Sequence, residues 1–237
     1  MIEQIHSLPE IPCESIAAIR ITALYNTYKV KGAEFYYQTV DGKMTAVISR
    51  LGSGFTIFTL DVPDYEELDS FFSYLSGEVF CDKECAERLK PIEKNIYCGL
   101  QYRGQIPKVT NGEQVKRSEV YPLLKLGSDG DIDLPEFEDW YTDFCLRVNH
   151  LSADYYVLNG AVAVAGFMND SAALITGVAV DKACRNMGLG SKVLNGLIAK
   201  LNLENKRQIF AVANGKTAEF YKKNGFKENG SYAVLKY

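Results

Sequence analysis

Apolar and polar positions along the first half of the chain follow helical and strand periods in a fixed order. The pattern predicts a helix (11–28), three strands joined by short turns (33–40, 44–50, 55–62), a helix (64–75), a strand (78–82) and a short helix (82–89). The helix at 64–75 begins at Asp64, which is a typical N-cap residue, and its apolar residues recur on one face.

The second half repeats this order. It predicts a helix (134–151), three strands (155–158, 161–169, 171–181), a helix (191–205), a strand (207–214), a helix (217–224) and a strand (231–237). The turn Asn159-Gly160 is a strong hairpin signal. Two interpretations remain open, a structural duplication or the ordinary alternation of helices and strands in α/β chains.

The segment between the halves, GQIPKVTNGEQVKRS at 104–118, has Pro, Asn-Gly and charged residues in place of apolar periodicity. A chain of 237 residues suits one large domain or two small ones. We therefore predict an N-terminal domain at 1–106, a linker at 107–118 and a C-terminal domain at 119–237, in a mixed α/β fold.

Composition and charge indicate a globular protein and exclude some partners. Hydrophobic residues make up 47% of the chain, and the net charge is −4 with basic and acidic residues interspersed. This gives no concentrated basic surface for nucleic acid, and no stretch approaches the about 18 apolar residues of a membrane helix. We expect a soluble, unexported, cytoplasmic protein that binds neither nucleic acid nor membrane. It would be a monomer or a homodimer, and the last strand could pair across a dimer if it lies at a sheet edge.

The six cysteines are scattered through the chain, which favours reduced thiols over a disulfide framework. They are Cys13, Cys81, Cys85, Cys98, Cys145 and Cys184. Cys81 and Cys85 are spaced like metal ligands, but a closed zinc site needs four ligands and no second pair is near. We predict no metal.

The stretch CRNMGLGS at 184–191 lies between a predicted strand and a predicted helix. Backbone amides at a helix N-terminus form an anion site, and glycines let a phosphate approach the backbone. The alternative is that the glycines only turn the chain. A dinucleotide-binding fingerprint would need a small residue where Val193 stands, and no Gly-Lys-Ser/Thr of a Walker loop is present.

The loop and the elements around it resemble the GCN5-related N-acetyltransferase (GNAT) family over about residues 135–237. Residues Arg185 to Gly190 fit the family's Arg-x-x-Gly-x-Gly/Ala loop, and Asn214 precedes Tyr221 by seven residues, with Gly225-Phe226 following. The sequence departs from the family in having Thr217 where an alanine is common. The first half has VPDYEELDS at the place of the loop, so a second GNAT-like unit there would be degenerate and would lack the pyrophosphate site.

The resemblance implies an acyl-CoA N-acyltransferase-like fold with two tandem units and an N-acetyltransferase that uses acetyl-CoA as co-substrate. The acceptor would be a primary amine of a small molecule or peptide, and the acidic balance weakly favours a cationic one. Two alternatives are a CoA-binding sensor or scaffold without catalysis, and an interaction protein whose loop is only structural. The implied cofactor-binding residues are Val178, Ala179, Val180, Arg185, Asn186, Met187, Gly188, Leu189, Gly190, Ser191 and Asn214.

The resemblance also makes Tyr221 the candidate general acid for the thiolate leaving group, against the alternative of a merely half-buried aromatic. Asn214 would either bind the cofactor or cap the following helix. The general base is not evident; Asp170, Glu138 and Asp139 are weak candidates, and a water chain could serve instead. Cys184 has no histidine near it in sequence, which favours a packing role over a nucleophile.

Overall fold

The computed structural model of the protein describes residues 1–12, 15–127 and 134–237. Its helices are α1 (Ile16–Gly32), α2 (Tyr65–Leu75), α3 (Lys83–Arg88), α4 (Arg117–Gly127), α5 (Phe137–Asn149), α6 (Leu189–Leu203) and α7 (Gly215–Lys223). Its strands are β1 (Ile2–Gln4), β2 (Glu34–Val40), β3 (Lys43–Leu51), β4 (Gly54–Thr59), β5 (Glu78–Asp82), β6 (Glu93–Tyr102), β7 (Asp154–Leu158), β8 (Ala161–Met168), β9 (Ala172–Val180), β10 (Gln208–Ala213) and β11 (Phe226–Lys236).

All of these strands belong to one mixed sheet with helices on both faces. The strand order is β1-β2-β3-β4-β5-β11-β6-β10-β9-β8-β7. Side chains alternate between the faces along each strand: Ala161 and Ala163 pack with α6, whereas Val162 and Val164 pack with α4 and α5. Helix α1 lies on the same face as α4 and α5, and α2, α3 and α7 share the face of α6. The sheet is thus the middle of three layers.

The two halves of the chain have the same strand arrangement and exchange one strand each. In the first half, β4 pairs in parallel with β5, and β5 pairs with β11 from the end of the chain. In the second half, β9 pairs in parallel with β10, and β10 pairs with β6 from the first half. Strands β6 and β11 pair with each other at the centre. The mixed α/β fold with two tandem units is therefore confirmed.

Several predictions need correction. Strand β11 lies in the middle of the sheet, so the proposed pairing of SYAVLKY across a dimer is wrong. Strands β1 and β6 and helix α4 were not predicted, and α6, α7 and β11 begin before their predicted starts. Cys13 lies outside the described residues.

Two other predictions concern membrane helices and metal sites. No helix in the described parts is long and apolar enough to cross a membrane. Cys81 and Cys85 are buried in the apolar core between α2, α3 and the sheet, and no group of three or more potential metal-ligating side chains occurs among the described residues.

Candidate functional site

A cleft opens in the sheet where β9 and β10 diverge. Their parallel pairing runs from Ala172 opposite Gln208 to Ile175 opposite Ala211 and does not continue beyond it. The edge of β9 from Thr176 onward that faces β10 therefore has no strand partner in the described chain. The cleft has a volume of about 710 Å³ and is lined by Tyr97, Gly127, Thr176, Gly177, Val178, Arg185, Val212, Ala213, Asn214, Lys216, Thr217, Phe220 and Tyr221.

The loop CRNMGLGS borders a groove of about 450 Å³ that shares one wall with this cleft. Gly188 is the N-cap of α6 with φ 71°, a left-handed conformation that favours glycine, and it supplies no side-chain cap. Among the described residues, no acceptor is bonded to the backbone amides of residues 186–191. These amides and the helix dipole make the loop a site suited to an anion.

Arg185 holds the loop against two neighbouring elements. Its Nε donates to the Val180 carbonyl at 3.3 Å, and its Nη2 donates to the Gly127 carbonyl at 3.0 Å. Gly127 is the last residue of α4 and lies close to β9, since a Cβ there would be 2.7 Å from the Val180 nitrogen. The Arg185 charge is thereby fixed in the wall of the groove, with Lys216 also lining it.

The three candidate residues of β9 do not all face the groove. Val178 and Val180 line it, whereas Ala179 is only 2% exposed and packs with α4 and α5. Of the loop residues, Asn186, Gly188, Leu189, Gly190 and Ser191 line the groove with Arg185. Met187 is 65% exposed and is not part of its lining.

Tyr221 lies in the cleft with its ring held by its neighbours. The ring contacts Phe220 and Phe226 edge-on, at centroid distances of 5.5 and 5.1 Å. Its hydroxyl has no hydrogen-bond partner among the described residues. A phenol is protonated at neutral pH at its ordinary pKa of 10, and burial raises the pKa of Tyr221 further.

Asn214 stands at the N-cap of α7, but its side chain does not cap the helix. Instead, Oδ1 accepts from the Cys98 amide at 3.2 Å, and Nδ2 donates to the Ile96 carbonyl at 2.5 Å. The side chain therefore fastens the end of β10 to β6. The helix-capping interpretation of this side chain is wrong.

The three carboxylates considered as a general base are exposed and do not line the cleft. Asp170 lies in the turn between β8 and β9, at the end of β9 away from the loop, and Glu138 and Asp139 are in the first turn of α5. Cys184 is half-buried and borders the groove. The structure thus brings the loop, β9, Asn214 and Tyr221 together and leaves the carboxylates apart.

The sequence did not indicate several residues of the cleft. Tyr97 comes from the unpredicted strand β6, and Gly127 from the unpredicted helix α4. Thr176 lies within the predicted strand 171–181 but was not a candidate site residue. Lys216 and Phe220 lie on α7. The sequence could have indicated Lys216 as a basic residue in the first turn of that helix, and Phe220 as the aromatic residue next to Tyr221.

The corresponding place in the first half is closed. The Asp64 carboxylate accepts from the amides of Glu66 and Glu67, each at 3.1 Å, so the N-terminal amides of α2 are already satisfied by an anion. Thr59 Oγ1 donates to Asp82 Oδ2 at 3.4 Å between the ends of β4 and β5. Asp82 is the N-cap of α3, as Asn214 is the N-cap of α7. Tyr221 follows Asn214 by seven residues, and the residue at the same distance from Asp82 is Leu89, which has no hydroxyl.

Comparison with known proteins connects this geometry to a family. Residues 151–228 match the model of the acetyltransferase (GNAT) domain. No curated protein matches the chain significantly.

Solved structures share the fold over nearly the whole chain. A GCN5-related N-acetyltransferase from Kribbella flavida is 13% identical with a TM-score of 0.59, over 93% of this chain and 93% of that one. A GNAT-family acetyltransferase from Colwellia psychrerythraea is 11% identical with a TM-score of 0.55, over 100% of this chain and 99% of that one. A tandem GNAT protein from the clavulanic acid biosynthesis pathway is 10% identical with a TM-score of 0.55, over 92% and 87%. At these identities the likeness concerns the fold.

Proposed function

We propose that this chain, whose residues 151–228 form a GNAT domain, transfers an acetyl group from acetyl-CoA to a primary amine by direct attack. The observation that carries the proposal is the convergence of three features on one cleft. They are the amides of the loop at 186–191, the edge of β9 from Thr176 onward and the hydroxyl of Tyr221, none of which has a hydrogen-bond partner among the residues that the structure describes.

The loop would bind the pyrophosphate of acetyl-CoA. Its amides and the N-terminus of α6 supply oriented donors, and Arg185 and Lys216 supply positive charge in the same groove. The free edge of β9 beside Val178 and Val180 would pair with the amide groups of the pantetheine arm, because unpaired strand edges bind extended amide chains. Asn214 would act by holding the cleft in shape through β6.

The reaction needs positioning, loss of one proton and support for the leaving group. The amine nitrogen attacks the thioester carbonyl, the C–N bond forms, and the C–S bond breaks. The amine attacks as the neutral base, so its nitrogen becomes cationic when the C–N bond forms and then loses one proton to solvent. Tyr221 donates its proton to the departing sulfur and is reprotonated from solvent.

The N-terminal half would be a degenerate unit that walls the cleft and does not bind CoA. Asp64 occupies the helix N-terminus that would take a phosphate, and further anions would be repelled by Glu66 and Glu67. This half contributes β6, which borders the catalytic cleft of the other half.

The test is a turnover assay with the full chain. Acetyl-CoA and a panel of primary amines are mixed with the protein, and free CoA thiol is measured together with the mass of the acetylated amine. We expect release of thiol that depends on one class of amine. Binding of acetyl-CoA without turnover of any amine would instead indicate the CoA-binding sensor or scaffold. Absence of acetyl-CoA binding would indicate that the loop has only a structural role.

A further inference from the structure

Tyr97 reaches the cleft of the C-terminal GNAT domain from the N-terminal half of the chain. It lies on β6, one register step beyond the pairing of Cys98 with Ala213, and therefore opposite Asn214. The bonds of Asn214 to Ile96 and Cys98 fix β6 at this point. The Tyr97 side chain is half-buried and lines the cleft together with Val212.

Tyr232 is the equivalent of Tyr97 in the other half of the fold, and its ring is buried where that of Tyr97 borders a cleft. Tyr232 lies opposite Asp82, as Tyr97 lies opposite Asn214. Its ring stacks on Phe80 at a centroid distance of 5.4 Å and an angle of 11°, and it is only 8% exposed. Val212 stands where Phe80 stands in the other half, two residues before the helix cap. The smaller Val212 leaves open the space that the Tyr232–Phe80 stack fills.

The cleft has a polar part and an apolar part. Its polar residues Arg185, Lys216 and Thr217 also line the groove beside the loop, whereas Tyr97, Val212 and Tyr221 line only the cleft. The amide of Asn214 is engaged with β6 and is not free to bind a ligand. An ammonium in the apolar part loses hydration, which lowers its pKa and favours the neutral, nucleophilic amine.

We propose that Tyr97 is a specificity-determining residue that contacts the acyl acceptor, and that the acceptor is a primary amine carried on an apolar or aromatic group. This inference rests on the proposed acetyltransferase function. Tyr97 takes part in no bond change; it packs on the apolar group of the acceptor and directs the amine toward the end of the β9–β10 cleft.

The experiment compares three acceptors and four proteins. The acceptors are 2-phenylethylamine, spermidine and a blocked tripeptide with a central lysine. The proteins are wild type, Tyr97→Ala, Tyr97→Trp, and Tyr74→Ala as the matched control, since Tyr74 is 87% exposed on α2. The readouts are kcat and KM for each amine, Kd for acetyl-CoA by calorimetry, and the melting temperature.

We expect wild type to acetylate 2-phenylethylamine with the highest kcat/KM. Tyr97→Ala should raise its KM about tenfold, which is the loss of one aromatic contact, with acetyl-CoA Kd within about twofold of wild type. Tyr97→Trp should fill the slot and abolish use of this amine while still binding acetyl-CoA. Tyr74→Ala should match wild type.

Other outcomes overturn the inference in distinguishable ways. A preference for spermidine or the lysine peptide, or unchanged amine KM in Tyr97→Ala and Tyr97→Trp, would contradict it and leave the acetyltransferase function standing. Acetyl-CoA binding without turnover of any of the amines by wild type would overturn both proposals.

Discussion

Tyr97 and Tyr232 lie opposite each other in the antiparallel pair of β6 and β11. Strand β6 comes from the first half of the chain and borders β10 of the second half, whereas β11 comes from the second half and borders β5 of the first. Tyr232 is buried against Phe80 and closes one half. Tyr97 is half-buried and borders an open cleft in the other half. A near-symmetric framework therefore holds one filled site and one open site.

Tyr221→Phe removes the hydroxyl without changing the ring packing on Phe220 and Phe226. If Tyr221 is the general acid, kcat should fall about 100-fold, as is usual for loss of a positioned proton donor, while Kd for acetyl-CoA stays close to wild type. Steady-state kinetics with calorimetry check this, and Tyr74→Phe is the control. A Tyr221→Phe enzyme with wild-type kcat would assign the phenol a packing role only.

Asp64→Ala should lower the free energy of unfolding by about 1 kcal/mol, because two amides of α2 lose their acceptor. Asp64→Asn keeps a capping oxygen and should stay close to wild type. Urea denaturation measures both. Neither variant should change the acetyl-CoA affinity, and a second binding site appearing in Asp64→Ala would show that the N-terminal half can still take an anion.

Burial and the neighbouring Asp154 carboxylate raise the pKa of Glu204 above its ordinary value of 4.5. An acid whose pKa is higher in the folded state favours folding most below that ordinary value, and this contribution is lost as the pH rises through the folded pKa. Glu204→Gln should therefore lose less stability than wild type between pH 4.5 and neutrality. Melting temperatures across that range decide it, and parallel curves for the two proteins would contradict the prediction.

Gly196→Ala should destabilise the protein although it lies within helix α6, where alanine normally adds about 1 kcal/mol over glycine. A Cβ at this position would come within 2.2 Å of the Tyr156 ring, whose hydroxyl donates to the Thr110 carbonyl at 2.9 Å. We expect a net loss of about 2 kcal/mol from overpacking. In a Tyr156→Ala background the same substitution should become stabilising, and a double-mutant cycle by urea denaturation tests this reversal.

Local signals in the sequence explain what could be predicted of the fold. Asp64 is the side-chain N-cap of α2, and Asn159-Gly160 makes the β7–β8 turn with positive φ at both residues. The glycines of CRNMGLGS begin α6. These features depend on a few adjacent residues, so a single sequence suffices to place them.

The exchange of β6 and β11 depends on contacts between distant parts of the chain. Strand β6 begins with polar, exposed residues, and α4 contains Pro122, which weakens a helical pattern. Neither gives a strong local signal. The role of Asn214 likewise depends on β6, because its side-chain partners precede it by more than 100 residues.

We propose that CRNMGLGS binds the pyrophosphate of acetyl-CoA, and calorimetric titration provides a direct test. Acetyl-CoA is titrated into wild type and into the triple variant Arg185→Glu, Gly188→Asp, Gly190→Asp, after its melting curve has shown that it is folded. Binding by wild type and its loss in the variant are the predicted result. Equal binding by the two proteins, or no binding of acetyl-CoA, free CoA or longer acyl-CoAs by wild type, would show that the loop is not a pyrophosphate site.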